Sequence, residues 1–309
     1  MVHFSNPPEP ALRERIAEAL GESVRFGGEP GPDTRWLVNG SPSTLDGMPL
    51  LEGVIIPWAG VPRKTLELAR ERGVALYNLH HNAHATAEMA LSLLFAAARG
   101  LTALDRRLRV GDWSNRTGVR NGVQLYGKTV AVLGYGAIGR HVGQVCRAMG
   151  MGVVGIKRTA GKVDGVECFG VADLHAALSR AHALVICAPG TESTTGLIGR
   201  AAIEALREPR LLVNVGRGAI VEEQALHHTL ADGTLHAAGL DVWYRYPKGD
   251  EPCFPSAFPI HEMPNVVLSP HTGGGTRESE ELRAEALIEL VGALIAGERP
   301  PAVDFESGY

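Results

Sequence analysis

The sequence predicts an α/β protein with two domains built on parallel sheets, and three observations carry that reading. Short apolar runs alternate with amphipathic stretches along most of the chain. Several of those runs are apolar at every position, as in Ala183-Leu184-Val185-Ile186-Cys187, which suits strands of a sheet covered on both faces. The length of 309 residues exceeds the size at which a single core keeps growing.

The elements follow in order. Before residue 97 the apolar runs are Trp36-Leu37-Val38, Val54-Ile55-Ile56 and Val74-Ala75-Leu76-Tyr77, and Lys64 to Arg72 read as a helix closed by Gly73. From Glu88 to Arg99, Leu91, Leu94, Phe95 and Ala98 recur at helical spacing, and the pattern weakens toward Leu108 before Gly111 interrupts it. This stretch reads as the crossing into the second domain. From Thr129 the alternation becomes regular, with strands expected at 129–133, 152–156, 183–187, 211–215, 236–241 and 265–268. Arg245 to Pro264 carries prolines at 247, 252, 255, 259 and 264, so an irregular loop is expected there. Leu287, Leu290, Val291, Leu294 and Ile295 form an amphipathic helix that stops at Gly297.

Composition narrows the function classes. With 45% hydrophobic and 21% charged residues and a net charge of −4, no strong basic field recommends nucleic acid or an anionic membrane surface as a partner. Small-molecule chemistry is the expectation. Cysteines 146, 168, 187 and 253 form no Cys-x-x-Cys pair, which argues against a zinc site and a disulfide framework. They read as buried thiols in a reducing cytoplasm. The first residues lack a basic segment followed by an apolar core, and Met89 to Ala98 is too short to span a bilayer, so a cytoplasmic location is expected.

The stretch that organises the second domain is Val130 to Gly139, an apolar run followed by glycines at 134, 136 and 139 and then a helix-like segment from Arg140 to Met149. A sharp turn, a close backbone approach to a pyrophosphate and a tight helix-to-strand contact each ask for a glycine, and the helix N-terminus then faces the phosphates. Such a site normally has an acidic residue about 20 positions on, to accept from the ribose 2′-hydroxyl. Here the second strand ends in Lys157-Arg158-Thr159, two cations and a hydroxyl that would welcome a 2′-phosphate. NADP is therefore expected over NAD, the plainer alternative being two solvated cations.

Three more stretches stand at strand ends, where ligands bind in open parallel sheets: Asn214 to Gly218, Gly239 to Trp243 and Leu268 to Gly274. Arg217, between two glycines, has a planar fork free to grip an anion, and His271 titrates near neutrality as a general acid or base should. Taken alone, Arg217 also suits a loop ion pair and His271 a turn.

Together, Gly134 to Gly139, Pro189-Gly190-Thr191 with Thr194 and Gly196-Leu197-Ile198, Asn214 to Gly218, Asp241-Val242-Trp243 and Ser269-Pro270-His271 resemble the D-isomer-specific 2-hydroxyacid dehydrogenase family over residues 50–290. The resemblance implies two Rossmann-like or flavodoxin-like domains, with doubly wound parallel sheets and a cleft between them. The substrate domain would comprise 1–97 and 276–309, and the dinucleotide domain 98–275. It implies Arg217 as the substrate-binding arginine and His271 as the acid/base. Asp241 matches the aspartate that holds the nicotinamide carboxamide, and Ala137, Ile138, Ala188, Pro189, Thr194, Val215, Gly273 and Gly274 complete the implied cofactor contacts. On the substrate side, Asn82, His81 and the Trp58-Ala59-Gly60-Val61 loop match the family's contacts. A homodimer through the cofactor domain, with residues 86–108 as its long helix, is implied as well.

One position departs from the family. Its usual catalytic glutamate, five residues beyond the matched aspartate, is Tyr246 here, followed by the usual proline. A hydroxyl orients the His271 ring without a carboxylate's charge, so the His271 pKa is expected below that of typical relatives, unless Glu251 restores a carboxylate. The implied reaction is reversible hydride transfer between a nicotinamide and C2 of a small 2-oxo or 2-hydroxy acid. Two alternatives stay open: another small anion such as formate or phosphite, and a dinucleotide-sensing protein without turnover. The cluster His80-His81-Asn82-Ala83-His84 offers imidazoles for a metal, but hydride transfer needs none, and a polar pocket wall is the simpler account. His227-His228 reads as surface.

Overall fold

The computed structural model describes residues 1–40, 47–116 and 122–305. The chain divides into two compact units, Met1–Asn82 with Gly275–Tyr309, and Ala83–Gly274.

In the first unit, β1 (Val2–Phe4), β2 (Val24–Phe26), β3 (Trp36–Val38), β4 (Gly53–Ile56) and β5 (Ala75–Asn78) form a wholly parallel sheet in the order β2-β1-β3-β4-β5. That order is the flavodoxin-like winding. Helix α1 (Pro10–Leu20) starts on its proline, and α2 (Arg63–Arg72) ends at Gly73 in the left-handed conformation, φ 64°. The sequence reading missed β1 and β2 because each is only three residues long with a polar one at its centre, His3 and Arg25, so neither forms an apolar run.

The second unit opens with α3 (Ala83–Arg99) and α4 (Leu101–Arg109), which bend by 67° at Gly100. Among the described residues no single helix is long and apolar enough to cross a membrane. The unit boundary falls at 82/83 and not at 97/98, because α3 belongs wholly to the second unit. Leu93 rests so close on Gly239 that a Cβ there would stand 2.7 Å from the Leu93 Cβ. Leu94, fully buried beside it, contributes about 1.5–3 kcal/mol of apolar burial.

The strands β6 (Thr129–Leu133), β7 (Gly152–Lys157), β8 (Gly161–Val163), β9 (Val166–Gly170), β10 (Ala183–Ile186), β11 (Leu211–Asn214), β12 (Ala237–Leu240) and β13 (Val266–Leu268) make one sheet. Its order is β13-β12-β11-β10-β6-β7-β9-β8, parallel except for the β8–β9 pair. The strand order reverses between β6 and β10, the place where such sheets bind ligands beyond their carboxyl ends. Both faces are covered, by helices that include α5 (Ala137–Ala148), α6 (Leu174–Leu178), α7 (Arg200–Ala205) and α8 (Glu223–Ala231). Residues 245–264 are irregular apart from a single 3-10 turn at Ile260–Glu262.

Helix α9 (Arg277–Ile295) then packs on α1 in the first unit. A reciprocal cap starts it: Ser279 N donates to Thr276 Oγ1 at 3.0 Å and Thr276 N to Ser279 Oγ at 2.9 Å.

Two surface expectations change. Cys253 is exposed rather than buried, since the proline-rich loop that carries it gives it no core to enter. His227 is half-buried and stacks on Phe258 with ring centroids 4.9 Å apart, leaving only His228 on the surface.

Candidate active site and dinucleotide cradle

The three glycines after β6 have three different physical jobs. Gly134 has φ +88°, and a Cβ there would meet the Ala188 backbone nitrogen at 2.5 Å, so only glycine lets the turn pass the end of β10. A Cβ on Gly139 would meet the Gly134 carbonyl oxygen at 2.4 Å, which sets the approach of α5 to its own strand. A Cβ on Gly136 would meet nothing within 4 Å. Its backbone therefore faces open space at the N-terminus of α5, with Ala137 and Ile138 opening the first turn, as a pyrophosphate cradle requires.

Across the switch point the loop after β10 is tied to itself. Thr191 N donates to Thr194 Oγ1 at 2.8 Å, and Thr194 Oγ1 donates to the Pro189 carbonyl at 2.8 Å. Ala188 and Val215 are buried beneath this edge. Lys157 closes β7, and Arg158 and Thr159 follow it into solvent. Among the described residues neither cation has an ion-pair partner. The nearby arginines are engaged: Arg140 Nε pairs with Asp164 at 2.7 Å, and Arg147 reaches the Asp164 carbonyl at 3.1 Å.

Arg217 stands just past β11. Asn214 Nδ2 donates to the Arg217 carbonyl at 2.9 Å, Asn214 Oδ1 accepts from Gly216 N at 3.0 Å, and Arg217 Nη1 donates to the Gly216 carbonyl at 2.7 Å. A Cβ on Gly190 would stand 2.8 Å from the Arg217 Cγ, so that glycine gives the arginine stem its lane. On the far side, a Cβ on Gly218 would stand 2.3 Å from the Trp243 carbonyl oxygen.

His271 follows β13 in a left-handed conformation, φ 60°, unusual for a side chain with a Cβ. The turn that holds it is clamped by Asp241, which is 2% exposed. Asp241 Oδ1 accepts from Ser269 Oγ at 2.6 Å and from Thr272 N at 2.9 Å, and Oδ2 accepts from Gly273 N at 2.9 Å. The carboxylate expected to hold a nicotinamide amide thus has three bonds inside the protein.

The Tyr246 hydroxyl lies 2.8 Å from His271 Nδ1 and accepts from the Trp243 backbone N–H at 3.1 Å. Trp243 Nε1 donates to the Ser269 carbonyl at 2.8 Å, tying the same turn from another side. Although His271 keeps solvent access, partial burial pushes its pKa below 6.5, and the Arg217 guanidinium pushes the same way. Asp241 pulls it up more weakly. Glu251 is exposed and is not a hydrogen-bond partner of His271.

In the first unit, Trp58 to Val61 form the loop after β4, with Trp58 exposed and Ala59, Gly60 and Val61 half-buried. Asn78, which the sequence reading passed over, donates from Nδ2 to the Ala59 carbonyl at 2.7 Å and so turns that loop's amides. Its one sequence signal is an amide side chain at the last position of a strand. His81 and Asn82 lie past β5 and are half-buried. Burial, then Arg283, then His80 lower the His81 pKa to about 4, so the ring is neutral at physiological pH. Among the described residues no group of three or more His, Cys, Asp or Glu side chains is arranged to hold a metal ion.

Residues 91–273 match the D-isomer specific 2-hydroxyacid dehydrogenase family in its NAD binding domain, and the chain belongs to that family. Its curated relatives include the D-3-phosphoglycerate dehydrogenase of Mycobacterium tuberculosis, 33% identical over 96% of this chain and 58% of that protein. The glyoxylate reductase of Aeropyrum pernix is 37% identical over 70% of this chain and 65% of its own length. The chain therefore spans little more than half of the mycobacterial relative. Among solved structures, the NADPH-dependent glyoxylate/hydroxypyruvate reductase of Sinorhizobium meliloti, in complex with NADP and malonate, shares the fold. It superposes with a TM-score of 0.81 at 24% identity, over 99% of this chain and 97% of that one.

Proposed function

We propose that the protein is an NADP-preferring dehydrogenase that interconverts a small 2-oxo acid and its 2-hydroxy acid. The observation that carries this reading is the grouping, beyond the carboxyl ends of the strands of one sheet, of the Gly134–Gly139 cradle, Arg217 and a His271 whose Nδ1 lies 2.8 Å from Tyr246 Oη. When bound, the cofactor supplies the hydride. Arg217 binds the substrate carboxylate and polarises the C2 carbonyl, and His271 Nε2 gives its proton to the carbonyl oxygen as C2 is reduced. In the oxidative direction the same nitrogen takes the proton back. In the first unit, the Ala59 to Val61 amides are proposed to hold a carboxylate, with Asn82 and His81 as substrate contacts.

The preference for NADP rests on Lys157, Arg158 and Thr159, a basic pair without a carboxylate at the ribose position. Replacing Lys157 and Arg158 by Ala is expected to raise the KM for NADPH about tenfold or more per cation, at roughly 1.5–3 kcal/mol for each charge-assisted bond, while leaving NADH nearly unchanged. A lower KM for NADH in the unaltered protein overturns the preference. The reaction is tested with both cofactors against glyoxylate, hydroxypyruvate, pyruvate and phenylpyruvate. Turnover that Arg217→Ala abolishes supports it, and no turnover with any of them overturns it.

We also propose a homodimer through the second unit, in a cytoplasmic protein. Leu101, Leu104 and Leu108 all lie exposed on α4, an apolar row that water does not favour. Light scattering after gel filtration is expected to give twice the chain mass of 32.9 kDa, and replacing Leu104 and Leu108 by Glu is expected to give the monomer.

A further inference from the structure

We infer that Tyr246 is a proton relay, so that His271 passes a proton from the Tyr246 hydroxyl to the substrate instead of working only as an imidazolium. The inference rests on the reaction proposed above. A carboxylate at this position only accepts hydrogen bonds, so it stabilises the doubly protonated ring and makes that ring the acid. A phenol both accepts and donates. Here one acceptor site of the Tyr246 oxygen is filled by the Trp243 backbone N–H at 3.1 Å, which turns the hydroxyl toward His271 Nδ1 at 2.8 Å. Tyr246 is 44% exposed, so water reaches this corner of the site and can supply the one proton that each turnover consumes.

The charged groups that act on His271 are Arg217, which disfavours a second positive charge beside it, and Asp241, whose opposing pull is the smaller. In the proposed relay the resting ring is neutral, with its proton on Nε2 and the Tyr246 O–H directed at Nδ1, 2.8 Å away.

The step balances as follows. C2 of the 2-oxo acid gains the hydride that the cofactor supplies, and the carbonyl π electrons move to oxygen. That oxygen takes the Nε2 proton, while Nδ1 takes the Tyr246 hydroxyl proton, so the ring stays neutral and the charge comes to rest on the phenolate. A phenol is a stronger acid than an aliphatic alcohol, so the transfer runs downhill. After the product leaves, Nδ1 returns its proton to the phenolate and Nε2 takes one from water. One proton is consumed per turnover, as the overall reduction requires.

The test is the pH profile of kcat for reduction under saturating NADPH and oxo acid. The unaltered enzyme is expected to keep its rate within about twofold from pH 6.5 to 8.5. Tyr246→Phe retains the ring but has no proton to pass, and is expected to fall about tenfold per pH unit above the His271 pKa, as an imidazolium-only acid does. Superimposable profiles for the two proteins overturn the relay. Because Tyr246→Phe also loses a contact, a proton inventory in H2O/D2O mixtures on the unaltered enzyme provides a second test: a bowed dependence on deuterium fraction shows two protons in flight, and a straight line overturns the relay. The function itself fails differently, by the absence of any reduction that depends on Arg217, and the relay then falls with it.

Discussion

Replacing Asp241 by Asn separates two roles for a buried carboxylate. The group accepts three bonds, at 2.6, 2.9 and 2.9 Å, from Ser269, Thr272 and Gly273, and it is 2% exposed. The amide keeps the two bonds to Oδ1, but its Nδ2 then faces the Gly273 N–H, donor against donor. One charge-assisted bond is lost at about 1.5–3 kcal/mol, and the stranded N–H adds about 1–3 kcal/mol. The lighter desolvation of a neutral side chain returns part of this, leaving a net loss of about 2–4 kcal/mol of unfolding free energy. Urea denaturation followed by tryptophan fluorescence reads it directly, since Trp243 belongs to the same network. Asp241 also favours the charged form of His271, so its removal is expected to lower the histidine pKa further and to lower it in the pH profile of Tyr246→Phe as well. A loss below about 1 kcal/mol, with a raised KM for cofactor as the main effect, refutes the reasoning and restores nicotinamide binding as the chief role of Asp241.

Three further predictions test other parts of the structure. Gly134→Ala places a Cβ 2.5 Å from the Ala188 nitrogen at φ +88° and is expected to cost about 2–4 kcal/mol of stability, whereas Gly136→Ala, which meets nothing, is expected to unfold normally while weakening NADPH binding in a fluorescence titration. His81, with its folded pKa near 4 against an ordinary 6.5, binds its proton more readily in the unfolded chain, so stability falls as pH drops from about 6.5 toward 4. Full linkage is about 3 kcal/mol, reduced to about 1–2 for a half-buried ring; urea midpoints for His81→Gln are expected to lose less on acidification, and parallel curves overturn this. Thr276→Ala removes the cap of α9 and is expected to lower stability by about 1 kcal/mol, with Thr276→Ser close to neutral in thermal melts.

The second unit was the more legible one. The apolar runs of β6, β10 and β11 are uninterrupted, and the three glycines after β6 stand at a spacing that few other turns need. The first unit hid β1 and β2 because each is three residues long and broken at its centre by a polar residue, His3 or Arg25. Helix α3 reads as helix from Leu91, Leu94 and Ala98, but the unit it joins depends on Gly239, more than a hundred residues away, which admits Leu93 to the sheet. At the site, the sequence singled out Arg217, His271 and Tyr246, and the last two stand 2.8 Å apart. Asn78 was not, because its role is a bond to a carbonyl in another loop, and no local pattern marks such a partner. The engagement of Asp241 with the His271 turn was hidden for the same reason: the three donors come from residues 28 to 32 positions along the chain.

Trp243 ties three parts of the second unit's site together. Its carbonyl fixes how near Gly218 stands, its backbone N–H holds Tyr246, and its indole holds the Ser269 carbonyl before His271. In the language of machining, the substrate clamp and the proton donor are both dimensioned from one datum. A substitution that shifts Trp243 is therefore expected to displace both together. Independent supports would let their errors add, and an error of about 1 Å at a reacting centre costs on the order of a hundredfold in rate.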